Sequence, residues 1–408
     1  MGAKVICYIQ AFDCERTIEA AMQSVLDQTY ENWLCFVLSN GNRNTAAAPN
    51  ATFDVIKNFA AKDNRFVVMN KKVNFVGMTG YAMCGLASRF PGSYLCALDA
   101  DDEYERDFFH RGVTLAETHH LDIVACGTEI IQKEQAGERE GTLIKRRQIE
   151  EDLVIPKDQF TSRFMTYKPF FNETWGKLYR AELFPSDKTE ERALREMVGG
   201  RFAADLLLAL FLLSKSRAMG VLSGTSHKYF QYLRRPGTNA SIMANATLAK
   251  EQSRRPGKMR YSIYSTHEIV MDFLRKHGEV DQALYEYTQA VLAGWLESYF
   301  THALLPVQDE AAVAVLAAQL VFHPKFDGLM RYQGSGRYDN LRNYQQRMEF
   351  CRRLCYMLIA QHSVYNRKWL WKEGLRCSPA TRKKLDRIIK KLEETIQMLS
   401  GLQEGEPT

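Results

Sequence analysis

Three carboxylates fall within four residues of this sequence, at Asp99, Asp101 and Asp102. They follow an apolar, strand-like run at residues 94–98. Their negative charges repel one another, and the end of a strand offers no helix dipole to offset that repulsion, so we expect a cation at this point of the chain. Helix capping is the alternative interpretation, because Asp102 with Glu103 can begin a helix over residues 105–118.

Another carboxylate, Asp205, opens a purely apolar run at residues 206–213, and no purely apolar run of the chain is longer. A lone carboxylate at this position can stabilise the positive N-terminal end of the helix, or it can take part in the chemistry of a site.

The first 130 residues must position these side chains, and they alternate strand-like with helix-like segments in the manner of a parallel α/β sheet. In such sheets ligands bind beyond the carboxyl ends of the strands. The strand candidates are residues 5–9, 34–38, 66–69 and 94–98. Candidate ligand contacts directly follow these strands, at Gln10, Phe12, Asp13, Ser39 and Asn40. Asp13 is also a possible cap of the first helix.

Past residue 130 the pattern becomes irregular and charged, which is typical of a loop or short β-ribbon. Within it, Lys145, Arg146 and Arg147 are interpreted as a solvated face. Further on, we predict a helix at 203–214 and a strand at 227–232, then helices with apolar periodicity at 264–275, 280–300, 311–323 and 343–360. We place a domain boundary near residue 240, which separates a sheet domain, 1–240, from an all-α domain, 241–408.

Composition narrows the class of protein. The 408 residues are 46% hydrophobic and 25% charged, which is typical of globular proteins. The longest apolar run is far shorter than the roughly 20 residues of a membrane-spanning helix, and no signal-peptide pattern follows Met1. The nine cysteines include no CxxC pair, which argues against a disulfide framework and a zinc site. We expect a cytoplasmic protein.

The basic character of the chain is C-terminal. The net charge of +6 is mild and does not indicate a nucleic-acid partner. Residues 341–408 contain 14 Lys and Arg against 7 Asp and Glu. Apolar residues recur at helical spacing over 385–399, and basic residues are concentrated in the N-terminal half of that segment. Such a helix can lie on an anionic membrane surface, which would make the protein membrane-peripheral, or pack on its own domain.

Three strings together indicate a family. They are Ser24 to Tyr30 (SVLDQTY), Leu98 to Asp102 (LDADD) and Trp175 to Arg180 (WGKLYR). In this order and at these separations the chain resembles the family 2 glycosyltransferases with the GT-A fold, over residues 3–241. The resemblance implies an α/β fold, a GT-A type nucleotide-sugar-binding sheet with flanking helices, followed here by the all-α domain. It also implies a nucleotide-diphospho-sugar donor that lies across the strand ends.

The resemblance assigns roles to the Asp-rich segment. Asp99-Ala100-Asp101 is similar to the family's DXD motif, which holds Mn²⁺ or Mg²⁺ against the donor diphosphate. His227 lies in a strand whose family counterpart is near the phosphates, so it is a candidate third metal ligand, with a packing histidine as the alternative. The implied donor contacts are Gln10, Phe12, Asp13, Ser39, Asn40, Gly80, Asp99, Ala100, Asp101 and Arg235.

The resemblance likewise implies that Asp205 is the base of an inverting transfer to a hydroxyl acceptor, which is a glycan, polysaccharide or lipid-linked saccharide. Trp175 and Lys177 are the implied acceptor contacts. The sequence departs from the family at Ala204, where the family has Glu before the base, and at Ser39-Asn40, where it has an acidic turn. These departures support an alternative, a catalytically degenerate GT-A protein that only binds carbohydrate or serves as a scaffold. A nucleotidyltransferase is disfavoured because residues 10–13 contain no glycine for a phosphate loop.

Overall fold

The computed structural model of the protein describes residues 2–41, 50–71, 78–198, 203–232, 263–299, 323, 325 and 326. These residues divide between two compact units, the first drawn from 1–199, 203–239 and 269–280 and the second from 200–202, 240–268 and 281–408. Arg235 and the basic segment at 385–399 lie outside the described residues. The domain boundary near residue 240 stays a prediction.

Most strands of the first unit join one mixed sheet. In the described residues the strands are β1 Val5–Ala11, β2 Trp33–Asn40, β3 Phe66–Lys71, β4 Tyr94–Asp99, β5 Glu103–Tyr104, β6 Ile123–Ala125, β7 Thr128–Lys133, β8 Thr142–Arg147, β9 Leu153–Pro156, β10 Lys177–Arg180, β11 Ala218–Val221 and β12 His227–Tyr232. Eight of them pair in the order β3-β2-β1-β4-β10-β6-β11-β9, and the other four pair in a smaller sheet in the order β5-β12-β7-β8.

Parallel pairing of the first four strands confirms the predicted α/β sheet. β1 lies between β2 and β4 and pairs in parallel with both, and β3 pairs in parallel with β2. Residues 5–9 of β1 are buried almost completely, because this central strand is covered on both faces, whereas the edge strand β3 is largely exposed. All four strands therefore end at the same edge, where the sequence predicted a ligand.

Several helices flank the sheet, among them Ala204–Lys215, which confirms the helix predicted at 203–214. They are α1 Ile18–Leu26, α2 Ala51–Ala60, α3 Met78–Arg89, α4 Phe108–Thr118, α5 Phe164–Tyr167, α6 Lys188–Val198 and α7 Ala204–Lys215, followed by α8 Ile263–Lys276 and α9 Gln282–Tyr299. The predicted helices at 264–275 and 280–300 are confirmed as α8 and α9. Those at 311–323 and 343–360 lie outside the described residues, apart from residue 323.

One local expectation was wrong. Asp13 does not cap α1, since the N-cap position is Thr17 and the turn is closed by main-chain bonds from Thr17 and Ile18 to the carbonyl of Cys14. Asp13 instead has φ of 47°, in the left-handed region that an Asp side chain tolerates better than most. The chain thus reverses between β1 and α1 through backbone conformation.

The charged stretch after residue 130 confirms the predicted ribbon. β7 and β8 pair antiparallel, and β12 adds to β7 in parallel, as predicted for a strand at 227–232. β12 also pairs with β5, so that His227 lies opposite Tyr104. This pairing brings β12 next to the segment that directly follows the Asp-rich motif. Within the described part of the chain, none of the helices combines the length and apolar character needed to cross a membrane.

Candidate active site

Two strand ends and two helix starts meet at the edge of the sheet. Gln10 at the end of β1 lies opposite Asp99 at the end of β4. The hydroxyl of Thr79, in the first turn of α3, donates to Oε1 of Gln10 at 3.3 Å. Gly80 faces α7, since a Cβ at Gly80 would lie 3.8 Å from a methyl carbon of Leu208. The predicted donor contacts Gln10, Gly80 and Asp99 are therefore gathered near the start of α7.

The Asp-rich loop divides into exposed and buried carboxylates. Asp99 is exposed and Asp101 is half-buried, whereas Asp102 has no exposed surface. One oxygen of Asp102 accepts from the main-chain N–H of Phe230 at 3.0 Å, and the other lies 3.3 Å from Nε2 of His227. The N–H of Asp102 donates back to the carbonyl of Asp99 at 3.1 Å. Asp102 therefore anchors the loop, and Asp99 points its carboxylate towards solvent.

Negative charge accumulates around Asp99. Although its side chain reaches solvent, the dense protein around it raises its pKa to about 7, and the charges of Asp101, Asp205 and Glu173 add to that rise. A carboxylate that is open to solvent yet surrounded by protein lies in a recess. A divalent cation bound there would relieve the repulsion, and carboxylate oxygens are the hard ligands that Mn²⁺ and Mg²⁺ prefer.

The carboxylates at the sheet edge suit a metal that also binds another molecule. In the described residues no group of three or more His, Cys, Asp or Glu side chains surrounds a common point. Asp99 and Asp101 can supply oxygen ligands, and the remaining positions around a cation would be filled by a bound anion or water. The residues present thus fit a metal held jointly by the protein and a diphosphate rather than a closed protein site.

His227 lies inside the protein beside this loop. Its ring stacks on Trp175, with 4.2 Å between the ring centroids, and it has no exposed surface. Burial holds its pKa well below the ordinary value, and the cations Lys177 and Arg147 lower it further, so the imidazole is neutral. Its Nε2 faces Asp102. The role of His227 as a third metal ligand stays a prediction.

Asp205 lies in the first turn of α7. The residue before that helix, Ala203, has φ of 55° and ψ of 44°, a left-handed conformation that costs an alanine about 1–2 kcal/mol. The Asp205 side chain is exposed, whereas residues 206–210 behind it are buried. Surrounding protein and the charge of Glu173 raise the pKa of Asp205, and Lys177 opposes that rise. A strained turn thus presents one carboxylate from an otherwise apolar helix.

Lys177 is fully enclosed at the start of β10. Its ammonium group donates to the main-chain carbonyls of Glu173 and Trp175, the latter at 2.9 Å. Burial lowers the pKa of Lys177 to about 8, and the charges of Glu173, Cys126 and Asp205 raise it while Arg147 lowers it. The ring of Trp175 is also buried and packs on His227 and Tyr229. The predicted acceptor contacts Trp175 and Lys177 therefore lie inside the protein, next to the site.

Sequence reasoning missed one acid and its partner. The guanidinium of Arg147 donates two hydrogen bonds to the carboxylate of Glu173, at 2.9 and 3.3 Å. Arg147 is half-buried, so it departs from the solvated face expected for 145–147, whereas Lys145 and Arg146 are exposed. The charge of Glu173 acts on Asp99, Asp205 and Lys177. Its position two residues before Trp175 was the only signal available.

The remaining donor candidates lie at the end of β2 and after β1. Ser39 and Asn40 have no exposed surface, and the Ser39 hydroxyl accepts from the Asn50 side chain at 2.9 Å. Asn50 in turn caps α2 by accepting from the N–H of Phe53. Phe12 and Asp13 are half-buried, and Ala100 is buried. Ser39 therefore positions Asn50, the residue that caps α2.

The SVLDQTY string, Ser24 to Tyr30, forms hydrogen bonds with the segment that follows the Asp-rich loop. The buried Gln28 side chain donates to the carbonyls of Ser24 and Glu105 and accepts from the N–H of Phe109. The Ser24 hydroxyl accepts from the N–H of Tyr104. These bonds tie the end of α1 to the chain on either side of the start of α4. The string therefore fixes the segment that follows the Asp-rich loop.

The N-terminal part of the chain is similar to known proteins. Residues 6–185 match the family described as Glycosyl transferase family 2. An uncharacterized glycosyltransferase of Haemophilus influenzae is 25% identical over 185 residues, which cover 45% of this chain and 53% of that protein. The uncharacterized glycosyltransferase EpsJ of Bacillus subtilis is 27% identical over 185 residues, covering 43% of this chain and 47% of that protein.

The chain spans about half the length of both of these relatives. Among solved structures, a fragment of S. aureus TarS in complex with UDP-GlcNAc is 12% identical, with a TM-score of 0.45, and covers 85% of this chain and 92% of that chain.

Proposed function

We propose that this chain transfers a sugar from a nucleotide-diphospho-sugar to a hydroxyl group of an acceptor, since residues 6–185 match glycosyl transferase family 2. The observation that carries the proposal is the recess that Asp99 and Asp205 share. Both carboxylates are exposed, and the charge of Asp205 acts on Asp99 across the sheet edge. One carboxylate beside the leaving group and one beside the nucleophile is the arrangement that glycosyl transfer needs.

The donor would lie across the ends of β1 and β4. Asp99 and Asp101 would hold Mn²⁺ or Mg²⁺, with His227 as the candidate third ligand, and the metal would supply positive charge to the departing diphosphate. Gln10, Gly80 and the main chain at Ala100 line the same edge and would bind the nucleotide, together with Phe12 and Asp13. Arg235, outside the described residues, would pair with phosphate.

Asp205 would act as the general base. It takes the proton of the acceptor hydroxyl as that oxygen forms a bond to the anomeric carbon, and the bond from that carbon to the diphosphate oxygen breaks. Attack opposite the leaving group inverts the anomeric centre. A raised pKa makes Asp205 a stronger base than an ordinary carboxylate while it is ionised. The acceptor proposed is a glycan, polysaccharide or lipid-linked saccharide beside Trp175.

A cytoplasmic location, with peripheral attachment to membranes through the basic C-terminal helix, belongs to the same proposal. The attachment rests on the sequence of residues 385–399 alone, which lie outside the described residues. An acceptor carried on a lipid would be reached most readily by an enzyme on the membrane surface.

A second candidate function is carbohydrate binding without turnover. Its support is specific: Ser39 and Asn40, where the family has an acidic turn, are fully buried, and Ser39 is engaged by Asn50. The end of β2 therefore offers no exposed acid to a nucleotide base. Ala204 stands where the family has an acid before the base, and this departure also supports binding without turnover.

The two functions are separated by donor turnover. Purified protein is incubated with a panel of nucleotide-sugars and Mn²⁺, and release of nucleotide diphosphate is followed with and without candidate acceptors. Transfer predicts release by the wild type that falls about 10²–10⁴-fold in Asp205→Asn, with donor affinity within a few-fold. Metal-dependent binding of a nucleotide-sugar without any release, in wild type and variant alike, would establish the binding function instead.

A further inference from the structure

Thr79 of α3 and Gln10 of β1 are joined by a hydrogen bond between their side chains. The Thr79 hydroxyl donates to Oε1 of Gln10 at 3.3 Å, and both side chains are half-buried. The two residues are 69 positions apart in the sequence, so only the folded chain brings them together. Their contact lies at the edge of the sheet where Gln10 is opposite Asp99.

The packing of α3 fixes the position of the Thr79 hydroxyl. α3 packs on β1 and β4. Met83 and Leu86 follow Thr79 by four and seven residues, which places all three on one face of the helix, and both are buried. Thr79 is therefore the first member of a stripe that faces the protein interior, and its hydroxyl is held beside the end of β1.

Neighbouring strands fix the other partner. The main chain of Gln10 pairs with Leu38 of β2 on one side and with Asp99 of β4 on the other. Paired strand residues direct their side chains to the same face of a sheet, so the Gln10 side chain lies beside that of Asp99 on the face that α3 covers. The hydrogen bond from Thr79 thus acts on an amide next to a carboxylate of the proposed metal site.

This hydrogen bond leaves the nitrogen end of the Gln10 amide available to a ligand. A glutamine amide has one oxygen that accepts hydrogen bonds and one NH₂ group that donates two. In the described part of the chain, the bond from Thr79 is the one hydrogen bond that the Gln10 side chain forms. Because the amide group is planar, a contact that holds its oxygen against Thr79 also sets the direction of its NH₂ group.

We propose that Thr79 is a positioning residue that orients the Gln10 amide, so that its NH₂ group donates to an oxygen atom of the bound nucleotide. The inference rests on the proposed function, in which the donor lies across the ends of β1 and β4. That oxygen belongs either to the nucleoside or to the diphosphate, and both offer the same hydrogen-bond acceptor. Thr79 itself touches no part of the donor in this arrangement and acts through Gln10.

The test is a double-mutant cycle on nucleotide affinity. Isothermal calorimetry with Mn²⁺ compares UDP, GDP, ADP and CDP on the full chain, and the tightest of them is titrated into Thr79→Val, Gln10→Ala and the double variant. Thr79→Val removes the hydroxyl and keeps the shape of the side chain, so it should weaken binding about three- to tenfold, the usual range for one hydrogen bond. In the Gln10→Ala background the same change should alter affinity by less than about twofold, because no amide is left to orient.

Two further variants separate orientation from loss of structure. Thr79→Ser restores the hydroxyl and should restore the affinity. Ser88→Ala removes an exposed hydroxyl that bonds to the carbonyl of Gly85, about 13 Å further along the same helix, and should leave the affinity unchanged. If Thr79→Val fails to fold, Thr79→Ala takes its place. In turnover assays the Thr79 change should raise KM for the nucleotide-sugar and leave kcat unchanged, which a general loss of structure does not do.

Titration of the same variants with inorganic pyrophosphate locates the acceptor oxygen. A loss of affinity that pyrophosphate shares assigns the contact to the diphosphate. A loss confined to the nucleotide assigns it to the nucleoside. Either result supports the orienting role of Thr79.

Equal losses from Thr79→Val with and without Gln10 would overturn the inference, because Thr79 would then act independently of the amide. Unchanged affinity in Thr79→Val or in Gln10→Ala would also overturn it and would leave the proposed function standing. A wild-type protein that binds none of the four nucleotides, and releases no diphosphate from nucleotide-sugars, overturns the proposed function itself.

Discussion

Oδ2 of Asp102 lies 3.3 Å from Nε2 of His227, and neither side chain has any exposed surface. The other oxygen of Asp102 accepts from the N–H of Phe230, which bonds strand β12 to the Asp-rich loop. The imidazole also stacks on Trp175, whose carbonyl is bound by Lys177. A continuous series of contacts therefore joins the Asp-rich loop to Lys177.

Replacing His227 tests whether this series is structural. His227→Ala should lower the free energy of unfolding by about 3 kcal/mol, since it removes a buried aromatic stack and leaves Asp102 without its neighbour. Urea titration measures the loss, and calorimetry of nucleoside diphosphate with Mn²⁺ is run in parallel. A variant that is as stable as the wild type but has lost metal-dependent affinity would identify His227 as a metal ligand.

Asp101→Asn should abolish Mn²⁺-dependent binding of a nucleoside diphosphate, because it removes an anionic ligand and preserves the shape of the side chain. Isothermal calorimetry with and without Mn²⁺ gives the affinity. Asp158→Asn, at an exposed position outside the Asp-rich loop, is the control. Unchanged metal-dependent affinity in Asp101→Asn would contradict the assignment of the DXD motif.

Metal binding should weaken as pH falls. Asp99 has a pKa raised to about 7 in the metal-free protein, so below that pH a proton must leave before the carboxylate can ligate a cation. Mn²⁺ affinity should be nearly constant above pH 8 and fall by up to tenfold per unit below pH 6. Titration by calorimetry between pH 5.5 and 8.5 checks this, and a pH-independent affinity throughout that range would exclude Asp99 from the metal site.

Asp122 is expected to be a stability residue unrelated to the recess. It binds Arg217 through two bonds at 2.9 and 3.1 Å and lies 3.2 Å from Arg180, and these contacts hold its pKa below the ordinary value against the effect of burial. Asp122→Asn should cost about 2 kcal/mol at pH 7, as expected for hydrogen bonds to a charged group.

The pH dependence of that cost follows from the lowered pKa. A carboxyl group with a depressed pKa stabilises the fold fully above the unfolded value, about 4, and loses the contribution as pH falls through the folded value. Thermal unfolding of wild type and Asp122→Asn should therefore differ most at pH 5 and above and converge towards pH 3. A difference in unfolding temperature between the two proteins that grows as pH falls would contradict the stabilising role of the ionised Asp122.

Gln28→Ala should destabilise the protein by roughly 2–3 kcal/mol, because three buried partners of one side chain are left unsatisfied. Gln28 contacts none of the proposed site residues, so the pH at which turnover falls in acid should be the same in the folded variant as in the wild type. Chemical denaturation and the release of nucleotide diphosphate as a function of pH are the two measurements. A loss of turnover without a loss of stability would assign Gln28 a direct role in the site.

Much of the first unit could be predicted from local pattern. β1, β2 and β4 are apolar runs because both of their faces are covered, and such runs are recognisable in a sequence without knowledge of their partners. The same pattern placed the end of each of the first four strands within two residues of its observed position, and hence indicated which residues, Gln10 and Asp99 among them, share one edge. Asp205 was identified through the family resemblance of the stretch around it.

Other features depend on which distant segments meet. Glu173 and Arg147 are 26 residues apart, and Phe230 and Asp102 are 128 apart. Nothing in the residues around Arg147 distinguishes it from Arg146, yet one is half-buried against Glu173 and the other is exposed. Likewise, only the packing at the end of β2 shows that Ser39 serves the cap of α2.

By itself, then, the sequence determined the types of the first four strands, the edge at which the carboxylates gather and the family that residues 6–185 match, because these follow from periodicity and short strings. The tertiary structure decided which carboxylates stay exposed and which charges surround them. Exposure and electrostatic interaction depend on distances in space, and Asp99 and Asp102 acquire opposite environments three residues apart because β12 covers one of them and not the other.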